Sequence, residues 1–388
     1  MRKKVIIGLL IILVILIIAL LIPKNLELKG DSEVVLNLNE KYIEEGTNFK
    51  SEVTGTVDTS KVGEYTLVYK KGSQEVTRTV YVVDPSSLVV GLYGSQNTLV
   101  REGDPYIESG AFGIDKENGP VTEYKINGDV DTQTPGKYEV TYTFNVGKLK
   151  KTVTRTVQVV AKDEFEANTD GVPVMMYHYV YTKDNRPKTV NSNYILDTDF
   201  RKQLDYLKEN NYYFPSFDEL RAYVDGKIAL PKNSAIITFD DGQAYFMQNG
   251  IPIMNEYKIP ATAFIIGTKG AGKNLYPYAT EYVSFETHSY DMHKAGGYIG
   301  HGGIISAMKK DEIVKDLQKG IKLVGSSNAF AFPFGDITED GKKAVEEAGI
   351  DVAFSTVFGK VNVGDDYRTL KRVRVNGGIK LEDYIDNL

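Results

Sequence analysis

Cysteine and tryptophan are absent from the 388 residues, and histidine occurs only four times. The lack of cysteine excludes disulfides, thiolate zinc sites, iron–sulfur clusters and thiol catalysis together. Any metal must sit on histidine, aspartate or glutamate, so the four histidines can be taken one at a time. Positive charge is not in excess either: 46 Lys+Arg stand against 52 Asp+Glu, a net charge of −6. A nucleic-acid binder would show a basic stripe, so that class is set aside. Hydrophobic residues at 42% and charged residues at 25% describe an ordinary globular chain and argue against wholesale disorder. The length suits two to four domains.

One long hydrophobic run exists. Residues 5–22 are apolar throughout, interrupted only by Gly8, preceded by Arg2, Lys3 and Lys4 and closed by Pro23 and Lys24. As a helix the run would span about 27 Å, close to the hydrocarbon core of a bilayer. The basic flank predicts that end inside and the rest of the chain outside. The run is long for the core of a cleaved signal peptide, and no small-x-small site follows it. The expectation is a retained single-pass signal anchor over 1–24, with the remainder extracellular.

Residues 26–161 read as short alternating segments rich in Val, Thr and Tyr, punctuated by Gly and Asp, the pattern of small all-β modules. The stretch repeats itself. Tyr42-Ile43-Glu44 with Gly46 matches Tyr106-Ile107-Glu108 with Gly110, and Gly63-Glu64-Tyr65 matches Gly136-Lys137-Tyr138. Thr77-Arg78-Thr79-Val80 matches Thr154-Arg155-Thr156-Val157, and the second copy is the longer. Both copies resemble bacterial immunoglobulin-like surface modules, which implies two sandwiches, 26–84 and 85–161. No exposed-aromatic cluster separates from strand-core tyrosines, so the modules read as stalks rather than glycan binders. A polar, strand-free boundary follows near 162–170.

From Gly171 the pattern changes. Apolar segments of strand length (172–180, 235–239, 261–266, 329–332, 353–356, 370–375) alternate with amphipathic ones (197–210, 217–224, 245–257, 310–324, 338–348). Strand alternating with helix implies parallel pairing, and 171–388 suits a distorted (β/α) barrel, with fewer than eight strands allowed. The expected fold class is thus multi-domain: a transmembrane helix, two all-β sandwiches and an α/β barrel. In such barrels the reactive groups sit at the C-terminal ends of the strands.

Two such ends stand out. Ile236-Ile237-Thr238-Phe239 runs into Asp240-Asp241-Gly242, a buried strand meeting two carboxylates and a turn. Adjacent side chains leave a strand in opposite directions, but a sharp turn at Gly242 can aim both at one pocket, one to hold a metal and the other to take a proton. Thr287-His288-Ser289-Tyr290-Asp291-Met292-His293 places two of the four histidines within six residues. On a helix they would lie about 140° apart, so they must converge from a loop or distorted turn. Two imidazoles and one carboxylate form an open three-ligand set, as in hydrolytic zinc enzymes and some iron sites.

Thr238 to Gly242 resembles the first motif of the polysaccharide deacetylases (the NodB-homology, carbohydrate esterase family 4 group). His288 to His293 resembles the second, and Phe332-Pro333-Phe334-Gly335 a reduced third. The histidine spacing of five, rather than four, is similar to the subgroup acting on poly-N-acetylglucosamine and related surface glycans. Two departures stand beside the likeness. The family arginine before Pro333 is missing, and the segment Leu370-Lys371-Arg372-Val373-Arg374-Val375 lacks the usual C-terminal histidine.

The resemblance implies a metal-dependent N-deacetylase acting on an N-acetylated surface polysaccharide. Asp241, His288 and His293 would hold a divalent cation, zinc first, with iron, cobalt and nickel as alternatives. Asp240 would be general base. His178, ending the strand Val174-Met175-Met176-Tyr177, would replace the missing histidine as general acid. Tyr177, Phe332, Pro333 and Phe334 would wall the sugar, and His301, in a glycine loop, would touch substrate rather than metal. An O-acetyl esterase on the same site and a non-catalytic glycan-binding surface protein are the alternatives; the intact Asp240, Asp241, His288 and His293 weigh against the second.

Overall fold

The computed structural model describes Val14 and residues 25–388. The expected anchor, 1–24, lies outside the described residues but for Val14; among those described, no helix is long and apolar enough to cross a membrane. The chain divides into two compact units, Met1–Ser86 with Gly147–Leu149, and Ser87–Val146 with Lys150–Leu388.

In the first unit Glu33–Asn37 pairs parallel with Gln74–Val83, which pairs antiparallel with Gly63–Lys71, and that in turn with Glu52–Thr54. Among the described residues this is one four-stranded sheet, and beside it only a single antiparallel bridge forms, Leu28 to Thr47, so the expected second sheet is not shown here. Loops close its small core instead: Leu26, Leu67 and Tyr69 are buried, with Tyr42, Phe49 and Val57 against them. Arg78 is buried and donates to the Asp31 carbonyl, the Lys29 carbonyl and Glu44.

The second unit begins with the same strand order in the second repeat: Asn97–Arg101, Leu149–Val160, Gly136–Val146 and Tyr124–Asn127. Here a three-stranded sheet is added, Leu88–Leu92, Ala111–Asp115 and Gly119–Val121. The longer second copy thus supplies a whole extra sheet.

This module is docked on the barrel rather than strung from it. Ser109 and Ser216 share a hydroxyl hydrogen bond of 2.8 Å, and Ser95 exchanges hydrogen bonds with the backbone of Phe214. Ile114 is part of the barrel's own hydrophobic core. Two glycines permit the approach. A Cβ on Gly91 would stand 2.3 Å from the Glu281 carbonyl, and one on Gly94, at φ +70°, 2.6 Å from the Ser216 nitrogen. A flexible stalk leaves its backbone to water; this one shares a core with what it carries.

Seven strands close the barrel in the order Val174–Tyr177, Ile236–Phe239, Ala261–Ile265, Val283–Thr287, Ala329–Ala331, Val352–Phe358 and Leu370–Arg374. Every pairing is parallel, so all seven C-terminal ends open at one mouth. Val283–Thr287 is a strand beyond those expected; it delivers His288. The helices follow the apolar periodicity closely, including Lys310–Val324. One is locally widened: Phe246–Gly250 is a π turn leading into Ile251–Tyr257. Pro252 lacks the N–H that would bond one turn back, which accounts for the lost regular ladder there.

Candidate active site

The two carboxylates of the first motif come together because the backbone turns between them. Asp240 continues the inward face of the strand Ile236–Phe239, while Phe239 points outward and stacks on Phe246. Asp241 takes φ +75° and Gly242 φ +62°, so the turn starts one residue earlier than Gly242 alone requires. A left-handed aspartate is uncommon but tolerated. It swings the Asp241 carboxylate back into the same cleft.

Asp241 meets both histidines. Its Oδ1 lies 3.6 Å from His288 Nε2 and 3.4 Å from His293 Nε2. One ligand atom from each of the three residues lies within 4.8 Å of the others. Ser289, at φ +73°, makes the bend between the histidines that a helix could not supply. His288 Nδ1–H donates to the Ala331 carbonyl at 2.7 Å, which turns the Nε2 lone pair toward Asp241. The Tyr179 hydroxyl donates to the other Asp241 oxygen. His293 packs its ring 4.2 Å from Phe334, and burial, then the neighbouring His288, pulls its pKa down to about 4. A neutral imidazole is the ligating form, so the donor set fits a divalent cation.

Asp240 is kept out of that set. Both its oxygens receive the Arg372 guanidinium, Oδ1 from Nη1 and Oδ2 from Nη2, each at 2.7 Å. Both side chains are buried. Burial alone would raise the Asp240 pKa; Arg372, helped by His288 and His178, outweighs it and holds the carboxyl well below the usual range. A buried, bidentate pair of this kind leaves Asp240 ionised and immobile.

Arg372 is the site residue the sequence reading passed over. It lies on the strand Leu370–Arg374, the segment that lacks the family's C-terminal histidine. The available signal was Arg372 and Arg374 two apart on an apolar strand, hence on one face, where a buried guanidinium needs an acidic partner.

The cleft above these groups has a volume of about 410 Å³, and His178, Phe332, Phe334, Thr356, Asn193 and Arg374 are among the residues that line it. His178 lies at the cleft with Asp240 and Asp241 near enough to act on its charge, and its pKa is lowered by burial, which outweighs their attraction. His301 is at the rim, largely exposed, its Nδ1 3.6 Å from Asp336; the three-ligand cluster forms without it.

Two of the expected sugar-wall residues are elsewhere. Tyr177 is buried on the outer face of its strand, its hydroxyl donating to Gln203 at 2.8 Å and its ring stacked on Phe239. Because neighbours alternate, the strand that sends His178 inward must send Tyr177 outward. Tyr179, beyond the end of that strand on the separate short strand Tyr179–Tyr181, stands in the cleft instead. Pro333 is buried in a short 3-10 turn and does not line the cleft, whereas Phe332 and Phe334 on either side of it do.

Against known proteins, residues 227–353 match the polysaccharide deacetylase family and residues 90–159 the bacterial surface protein Ig-like domain. Most of the barrel is thus similar to the polysaccharide deacetylases, and the module docked on it to the bacterial surface Ig-like domains. Among curated relatives the chain is 30% identical over 187 residues to a poly-beta-1,6-N-acetyl-D-glucosamine N-deacetylase of Staphylococcus aureus, covering 43% of this chain and 63% of that one. The chain thus spans somewhat under two thirds of that relative's length. A protein of the same name from Staphylococcus epidermidis is 26% identical over 228 residues, 52% of this chain and 77% of that one. Among solved structures, a Streptococcus pyogenes deacetylase in complex with acetate has a TM-score of 0.48 at 20% identity, covering 56% of this chain and 99% of that one. A polysaccharide deacetylase from Bacillus cereus has a TM-score of 0.45 at 16% identity, covering 87% and 99%.

Proposed function

We propose that this protein is a metal-dependent N-deacetylase that removes acetyl groups from N-acetylglucosamine units of a cell-surface or cell-wall polysaccharide. The observation that carries the reading is the division of labour at the barrel mouth: Asp241, His288 and His293 converge as ligands, while Asp240 is withheld from them by Arg372. The names of the staphylococcal relatives point to a β-1,6-linked polymer. Zinc is the proposed metal, since an open site of two imidazoles and one carboxylate suits it. The apolar run 5–22 supports a membrane tether with the barrel outside the cell.

A divalent cation in this site would lower the pKa of a bound water and polarise the acetamide carbonyl. Asp240 accepts the water's proton as the oxygen attacks the carbonyl carbon. Held low by Arg372, Asp240 is a weak base and would rely on the cation to acidify the water. The carbon–nitrogen bond then breaks, and His178 protonates the departing amine. The products are acetate and a glycan amine, which is cationic at neutral pH. Phe332 and Phe334 form the apolar wall for the sugar.

The test is acetate release from neutral poly-N-acetylglucosamine, from peptidoglycan and from an O-acetylated glycan, with metal content measured on the same preparation. Acetate from the N-acetylated substrates, abolished by chelation and restored by zinc, is the expected result. Release from the O-acetylated glycan alone would replace the reading by the esterase. Release from none by metal-loaded protein would leave a binding protein.

A further inference from the structure

Arg372 and Arg374 lie two apart on the same strand, so both face the barrel interior, Arg374 one layer nearer the mouth. Their surroundings differ in one respect. Arg372 is neutralised by Asp240. Arg374 donates from Nη2 to Asn193 Oδ1 and from Nε to Asn376 Oδ1, at 3.2 Å for the latter. Both partners are uncharged amides, so they fix the guanidinium without cancelling its charge. Among the described residues no carboxylate forms an ion pair with Arg374, and its Nη1 has no acceptor. Arg374 and Asn193 both line the cleft, and the Arg374 charge acts on His178. With Asp240 paired to Arg372 and Asp241 among the ligands, Arg374 is the one charge of the lining left free to act on a substrate.

That placement matters because the reaction proposed above changes the charge of its own substrate. Each acetyl group removed turns a neutral sugar into a cation. A cleft of about 410 Å³ takes more than an acetamide, so in a polymer the sugar beside the reacting one enters the field of Arg374.

We propose that Arg374, clamped by Asn193 and Asn376, is a specificity-determining residue that reads the charge of the neighbouring sugar and rejects one already deacetylated. The inference rests on the N-deacetylase reading and makes the enzyme self-limiting: it spaces its products along the chain. Two unit charges about 7 Å apart, in surroundings between protein surface and water, correspond to a discrimination of about 3- to 30-fold. Added salt weakens it.

The experiment compares two β-1,6-linked pentasaccharides, one fully N-acetylated and one carrying a single glucosamine next to an N-acetylated unit. For the wild-type protein, kcat/KM on the second is expected to be lower by about 3- to 30-fold, with the difference in KM and shrinking in high salt. Arg374→Gln should bring the ratio of the two substrates to about one, whereas Arg374→Lys, which keeps the charge, should retain it. Equilibrium binding of a fully deacetylated oligomer, weaker than that of the acetylated one, should be equalised in Arg374→Gln. Circular dichroism and metal content identify a misfolded variant, in which case Asn193→Ala, freeing the clamp, must reduce the ratio. A wild-type ratio of one, or a ratio unmoved by Arg374→Gln in folded protein, overturns the proposal and leaves the N-deacetylase reading standing. No acetate from either oligosaccharide with wild-type protein removes that reading and this inference with it.

Discussion

Two buried arginines of the same compact unit, Arg372 at the barrel mouth and Arg155 where the β module meets the barrel, are put to opposite uses. Arg372 spends its guanidinium on a carboxylate, Asp240. Arg155 spends its own on backbone: Nη1 donates to the Ser95 carbonyl at 2.8 Å, and Nη2 to those of Tyr93 at 2.8 Å and Gly110 at 2.9 Å. The carboxylates follow suit. Asp240 is held ionised, whereas the acids near the junction are driven toward neutrality. Burial, then the charge of Asp351, raises Asp218 to about 7, and burial raises Glu286 to about 8. A buried ion pair keeps a charge ready for chemistry; a buried arginine on carbonyls fastens loops. In the second repeat the fastened loops, which carry Ser95 and Ser109, are those that touch the barrel.

Breaking the first centre should have the largest effect. Arg372→Met leaves Asp240 buried and unpaired, and is expected to cost about 3–5 kcal/mol of stability and about 10²–10³-fold in kcat, as displacement of a general base would. Chemical denaturation and acetate release measure the two. Arg155→Met strips partners from three carbonyls at about 1–3 kcal/mol each at most. It should lower the unfolding midpoint of the unit while folded protein keeps near-normal kcat, the outcome that separates fastening from chemistry. The matching change in the first repeat, Arg78→Met, should leave the barrel's unfolding transition where it is, read by near-ultraviolet circular dichroism. Tyr179→Phe removes the hydrogen bond to Asp241 and should weaken metal binding by about 10–100-fold, measured by competition with a chelator.

The smallest effect sharpens the comparison through pH. A carboxyl whose folded pKa is raised binds protons that the unfolded chain releases, so its contribution is full below the ordinary carboxylate range, declines as pH rises and is gone above the folded value. For Glu286 that window runs from about 4 to about 8. Glu286→Gln, which can keep the hydrogen bonds to Ser326 and Ala329, should flatten the fall in Tm between pH 6 and 9 by a few degrees. An identical fall in both proteins would assign the pH dependence elsewhere.

How much of this was legible depended on how local the signal was. Asp240, Asp241, His288 and His293 declare themselves because each motif is contiguous and two of four histidines fall together. The helices declare themselves by period. Val283–Thr287 was passed over because its Ser, Glu and Thr interrupt the apolar run; Glu286 is polar yet buried, satisfied by Ser326 and the Ala329 N–H. Arg372 was missed because its partner lies 132 residues away in sequence. Tyr177 was misplaced for want of a strand parity: assigning His178 inward already assigns Tyr177 outward. The docking of the second module depends on Gly91, Gly94 and Ser109, residues that read equally well as ordinary turns. Among the described residues, the second sheet of the first module is reduced to one antiparallel bridge, Leu28 to Thr47, at the place of Leu92 and Ala111 in the second, and the shorter repeat forms no strand in the place of Gly119–Val121.

Asp240 and Asp241, adjacent in sequence, are proposed to have separate duties, proton transfer and metal binding. Acetate release and bound zinc, measured together on Asp240→Asn and Asp241→Asn, test this most directly. Asp240→Asn is expected to lose about 10²–10⁴-fold in turnover while still binding added zinc, and Asp241→Asn to lose zinc binding along with turnover. Zinc lost from Asp240→Asn, or full activity in it, would contradict the account.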